Sequence, residues 1–145
     1  MFIGNVYHHM DTHILVPFDG SRPARHALEH ALENFPDAEI TVLTVIDEVG
    51  YSSEHLASEE TGQLFASAKR RLETAEAIAD ECGGSIRCVA DIGPTCKTIT
   101  EYAEVADVDH VVIGTHGRTG LSRIIVGSVA ETVIRQSPSP VTAVK

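Results

Sequence analysis

The residues best equipped for chemistry lie between positions 114 and 130. There Gly114-Thr115-His116-Gly117 is separated by nine residues from Gly127-Ser128-Val129-Ala130. Glycine has no Cβ, so three of them allow backbone N–H groups to turn inward and approach an anion closely. Ser128 opens a segment with helical spacing, and a helix start adds unpaired N–H groups and the positive end of a dipole. The anion such parts suit is a phosphate chain; the same glycines equally suit a tight turn feeding a helix. Arg118, Arg123 and Arg135 face only Glu131 between residues 112 and 136, a basic island in a chain of net charge −10. The loop has no Gly-Lys-Ser ending and no lysine. Without that lysine to stabilise developing charge, fast phosphoryl hydrolysis is not expected. A Ser128–His116–Asp19 triad is disfavoured, because no G-x-S-x-G elbow surrounds Ser128 and a helix-capping serine is poorly exposed. No catalytic residue is therefore assigned.

Asp19 is the second candidate, in Pro17-Phe18-Asp19-Gly20-Ser21. An aspartate ahead of a helix can simply cap it, but Ser21 already supplies a cap and leaves the carboxylate for a ligand. A group that only accepts hydrogen bonds suits sugar hydroxyls or an adenine amine and is wrong for phosphate. Ser128 and Glu131 have the spacing of a capping box, in which Glu131 would occupy the Ser128 N–H that a phosphate needs. The expectation is a closed box in the empty protein that opens when phosphate arrives.

These residues must be positioned by alternating strands and helices. Ile14 to Pro17 reads as a first strand, and Ser21 and Pro23 open a helix through about Asn34. Ile40 to Ile46 is a second strand. Glu54 to about Cys82 is a long helix with Leu64, Ala68, Leu72, Ala75 and Ala79 on one face. Ile86 to Val89 is a third strand, Asp91 to Pro94 a turn, and Thr95 to Ala106 a helix carrying Ile99, Tyr102 and Ala103 inward. His110 to Ile113 is a fourth strand ending at Gly114, Val129 to Gln136 a last helix, and Val141 to Val144 a fifth strand. Near-continuous apolar strands alternating with helices imply an α/β fold, a parallel sheet wound on both faces in the Rossmann-like manner. In such sheets ligands sit beyond the carboxyl ends of strands, where the strand order reverses. If that order is 3-2-1-4-5, the loops after strands one and four face each other there.

At 145 residues the chain fits one domain, taken as residues 13–145 behind an extension of residues 1–12. Its 21 Asp and Glu against 11 Lys and Arg argue against nucleic acid or an anionic membrane as a partner. Cys82, Cys88 and Cys96 lack metal or disulfide spacing and fit a reducing cytoplasm. No segment resembles an export signal or a membrane span. Tyr7, His8, His9 and His13 form a histidine-rich patch, read as terminus rather than metal site because no carboxylate or thiol accompanies it at fixed spacing.

Together these residues resemble the universal stress protein family, in its nucleotide-binding branch. Its pattern G-x2-G-x9-G-[S/T] is met by Gly114, Gly117, Gly127 and Ser128; Val16 to Ser21 and Gly93-Pro94 are similar too. The resemblance implies a 3-2-1-4-5 sheet of the adenine nucleotide alpha hydrolase-like kind, a homodimer pairing Val141 to Val144, and ATP in the cleft with Mg²⁺ or Mn²⁺ on its phosphates. Asp19 would hold the ribose or adenine side, beside Pro17 and Phe18, and Val45 would contact adenine. Ile113 and Gly114 would floor the pocket. His116, Gly117, Gly127, Ser128, Val129 and Ala130 would surround the phosphates, with Arg118 next to them. The implied function is a cytoplasmic stress regulator read out through its nucleotide; a slow ATPase or adenylate-handling enzyme, and a dimeric scaffold without nucleotide, are the alternatives. His110 departs from the aliphatic residue usual at the start of the fourth strand, and Ser139 from the Cys that often precedes the final Pro.

Overall fold

The computed structural model describes residues 12–47, 58–115 and 127–145. Among them the strands are β1 (His13–Pro17), β2 (Glu39–Ile46), β3 (Arg87–Ile92), β4 (His110–Gly114) and β5 (Val141–Val144). The helices are α1 (Arg22–Asn34), α2 (Ser58–Glu81), α3 (Thr95–Val105) and α4 (Ser128–Gln136). The strands pair in parallel in the order β3-β2-β1-β4-β5, as expected.

Because side chains alternate along a strand, the apolar runs of β1, β2 and β4 supply two core layers. Ile14, Val16, Val42 and Val112 pack with Leu28 and Ala31 of α1 and Ala75 of α2. Leu15, Leu43, Val111 and Ile113 pack on the other face with Ile99 and Ala103 of α3 and with Ala130 and Val133 of α4. Each such aliphatic side chain contributes about 1.5–3 kcal/mol on burial, which holds the central strands rigidly in register.

That register creates an opening. β1 and β4 are in register only at Ile14 with His110 and Leu15 with Val111. Beyond this point β1 stays with β2, and the Phe18 N–H donates to the Leu43 carbonyl at 2.8 Å. β4 instead stays with β5, and the Thr115 N–H donates to the Val144 carbonyl at 2.7 Å. The two strands thus bind outward neighbours, and a crevice opens at the sheet's carboxyl edge, where the strand order reverses.

Two local expectations change, and a third is not described. β3 does not stop at Val89: Asp91 and Ile92 pair with Val45 and Ile46, because the backbone of β2 offers partners along its whole length even where side chains are exposed. The turn is compressed into Gly93, at φ 153°, whose N–H donates to the Ile46 carbonyl at 3.0 Å. The helix start expected at Glu54 falls outside the described residues, and α2 is described from Ser58.

At the opposite edge of the sheet His13 is held on both ring nitrogens, 3.2 Å from the Ala106 carbonyl and 2.7 Å from the Thr41 hydroxyl, so its role is structural. His110 lies 2.6 Å from the Thr142 hydroxyl and tilts against Phe35, and the Ser139 hydroxyl donates to the Val108 carbonyl at 2.6 Å. Both departures from the family pattern are thus accommodated by hydrogen bonds away from the crevice. The three cysteines are free, and burial beside Glu76 pushes Cys88 up to about 11. Among the described residues no helix is long and apolar enough to cross a membrane.

Candidate functional site

The crevice holds a cavity of about 350 Å³. Leu43, Val45, Ile46, Ile99 and Ile113 give it apolar walls, suited to a flat ring, and Asp19, Ser21, Asp47, Ser67, Arg71 and Thr95 add polar groups. One margin is the β1–α1 turn, where Gly20 takes φ 81° and so carries the chain from the Asp19 position into the helix cap.

Three helix starts meet the cavity, and they differ in one respect. At α1 the Ser21 hydroxyl accepts from the Ala24 N–H at 3.3 Å, and Pro23 has no N–H to offer. At α3 no local side chain caps the helix, but Asp47 reaches across from the end of β2 and accepts from the Thr95 N–H at 3.3 Å and its hydroxyl at 2.9 Å. At α4 the cap is Gly127, which has no side chain to give. The first bond of that helix joins the Glu131 N–H to the Gly127 carbonyl at 2.9 Å, so the N–H groups of Ser128, Val129 and Ala130 precede it without intrahelical partners. Val129 and Ala130 line the cavity. Of the three, α4 is the start that no side chain caps among the described residues, the one suited to an anion.

The expected capping box does not form. Gly127 rather than Ser128 is the cap, which moves Glu131 one position too far along the helix to reach back. Its carboxylate instead lies 2.7 Å from the Arg135 guanidinium, an exposed pair four residues apart. Such a pair is worth about 0.3–0.5 kcal/mol. No competition for the phosphate donors therefore arises from Glu131. Arg135, part of the basic island, is exposed and does not line the cavity, and Arg118 and Arg123 lie outside the described residues.

Of the residues singled out from the sequence, Pro17, Phe18, Asp19, Val45, Ile113, Gly114, Val129 and Ala130 line this one cavity. Gly127 and Ser128 stand immediately beside it at the start of α4, with the Ser128 carbonyl accepting from the Thr132 hydroxyl at 2.8 Å. His116 and Gly117 lie, with Arg118, outside the described residues. Asp19 is exposed, and its Oδ1 accepts from the Ser21 N–H at 2.9 Å, which orients the carboxylate at the cavity margin. Gly114 has a reason that the sequence did not reveal. A Cβ there would stand 2.6 Å from the Ala24 nitrogen and closer still to the Pro23 carbonyl, so the packing of β4 on α1 alone requires glycine.

Sequence reasoning missed Asp47, Thr95 and a wall formed by Leu64, Ser67 and Arg71 of α2. Asp47 and Thr95 are 48 positions apart, a pairing no local pattern announces. The α2 wall does have a signal: Leu64 belongs to the apolar stripe, and Ser67 and Arg71, three and seven residues on, each stand one position before a stripe residue.

A family model described as the universal stress protein family matches residues 10–145. A universal stress protein of Methanocaldococcus jannaschii is 36% identical over 138 residues, covering 91% of this chain and 81% of its own length. The solved universal stress protein of Lactobacillus plantarum superimposes with a TM-score of 0.78 at 27% identity, covering 92% of this chain and 97% of its own. A universal stress protein from Archaeoglobus fulgidus, solved in complex with dAMP, has the same fold at a TM-score of 0.70 and 22% identity, covering 94% of this chain and 99% of its own.

Proposed function

The chain belongs to the universal stress protein family, and on that premise we propose that its cleft binds an adenine nucleotide, ATP above all, and that the bound nucleotide sets conformation or partner choice in a cytoplasmic stress regulator. The observation that carries this reading is the uncapped start of α4 opening onto an apolar cavity where β1 and β4 part. The adenine ring suits the interior formed by Leu43, Val45 and Ile99, and the ribose hydroxyls suit the Asp19 carboxylate. The phosphates are assigned to the N–H groups of Ser128, Val129 and Ala130, together with the loop of His116, Gly117 and Arg118. A protein of the same fold holds dAMP, which supports an adenine nucleotide as the class of guest.

Asp19 and Asp47 are the carboxylates lining the described cleft, a sparse oxygen set that fits Mg²⁺ or Mn²⁺ carried on the phosphates and keeping most of its water. Backbone donors at a helix start hold ground state and transition state alike, so they favour binding over turnover. The family's homodimer is assigned to β5. Among the described residues it is an edge strand, with one side of Val141 to Val144 available to a second copy.

Purified protein, denatured and analysed by chromatography and mass spectrometry, is expected to release adenine nucleotide close to one per chain. An empty protein that also fails to bind added Mg-ATP would refute the reading. Light scattering is expected to give twice the chain mass, and a monomer at micromolar concentration would remove the β5 assignment.

A further inference from the structure

Arg71 is a half-buried cation on the α2 wall of the cleft, in line with Leu64 and Ser67. Its stem packs on the β1–α1 turn: its Cγ lies 3.6 Å from where a Cβ on Gly20 would stand. Gly20 directly follows Asp19, so the Arg71 stem packs on the turn that carries the Asp19 carboxylate, and both residues line the cavity. Among the described residues Arg71 is the one lysine or arginine that lines the cavity. Arg87, Lys97 and Arg135, outside the cavity lining, are each paired with a carboxylate. Arg71 has no hydrogen bond or ion pair among the described residues. Its guanidinium has no protein acceptor to satisfy there, and its fork of five donors matches the oxygens of a phosphate.

Resting on the nucleotide reading, we infer that Arg71 binds the phosphate nearest the ribose, the one common to adenosine mono-, di- and triphosphates, while the α4 start binds the phosphates beyond it. The division follows from position. Arg71 packs on the turn that carries the carboxylate assigned to the sugar, and α4 packs on the opposite face of the sheet from α2. The cleft then has two anion contacts in sequence along the ligand, and the first of them admits a monophosphate on its own.

The test is calorimetric titration of wild-type, R71Q and R71K protein with adenosine, AMP and ATP, with thermal melts to establish that the variants fold. R71Q is expected to weaken AMP and ATP by the same factor, roughly ten- to a hundredfold, and to leave adenosine unchanged. R71K, which keeps the charge but not the fork, is expected to recover part of the loss. A loss that extends to adenosine would place Arg71 on the base, and a loss confined to ATP would place it farther along the phosphates; either overturns the inference. Wild-type and R71Q proteins binding equally well would overturn the inference alone, whereas a wild-type protein that binds none of the three overturns the nucleotide reading with it.

Discussion

Replacing Gly127 by aspartate gives α4 the cap it lacks, and so sets stability against binding. Gly127 has φ −59° and ψ 157°, an extended conformation that aspartate adopts without strain. The new carboxylate accepts from the Val129 or Ala130 N–H and complements the helix dipole, a gain of about 0.3–1 kcal/mol. In a chain of 145 residues that is a rise in Tm of roughly 1–4 °C. The same carboxylate occupies one or two of the donors assigned to phosphate and adds a like charge beside it. A hydrogen bond to a charged group contributes about 1.5–3 kcal/mol, so a loss of about 2–5 kcal/mol is expected, which is roughly thirtyfold to several thousandfold in Kd. Thermal melts without ligand and calorimetric titration with ATP measure the two effects on the same samples, and AMP, lacking the outer phosphates, is expected to lose less. A G127D protein that is more stable yet binds ATP as tightly as wild type would refute the use of the α4 donors by phosphate. One that is less stable would refute the cap geometry itself.

Gly114→Ala should lower Tm by roughly 3–9 °C, from about 1–3 kcal/mol of overpacking against the Pro23–Ala24 backbone, and an unchanged Tm would show that α1 can move aside. Asp19→Asn keeps an oxygen for the Ser21 N–H but loses the second acceptor, so ATP and AMP are expected to weaken about tenfold while free adenine is unaffected; equal loss for adenine would move Asp19 from the sugar to the base. Burial, with His30 nearby, holds His110 below its ordinary 6.5, so the unfolded chain takes up this proton more readily than the folded one. Stability is therefore expected to fall as pH drops through about 6.5 and to level off below the folded value. Urea melts of wild type and H110Q across that range check the sign, since the slope should flatten in the variant.

Much of the fold was legible because its signals are local and repeated. The apolar runs of β1, β2 and β4 and the Ser21–Pro23 helix start each announce themselves over a few residues, and the parallel order follows from their alternation with helices. The extent of β3 was not legible, because Asp91 and Ile92 are held by the backbone of β2 rather than by their own burial. The capping box failed for a similar reason: a shift of the cap by one residue moves Glu131 out of reach and onto Arg135. In the cleft, residues near glycines and strand ends could be singled out by type. Asp47 and Arg71 could not, since what distinguishes them is what lies across the cavity, Thr95 for one and the Asp19–Gly20 turn for the other.

The central claim is that phosphate sits on the open start of α4. Amide NMR of the ¹⁵N-labelled protein tests it most directly, by following the Ser128, Val129 and Ala130 N–H signals as adenosine, AMP and ATP are added in turn. Large downfield shifts of these three amides with ATP, and none with adenosine, are expected from N–H groups donating to phosphate oxygens. ATP binding that moves the signals of Val45 and Ile99 but leaves the three α4 amides in place would contradict the account.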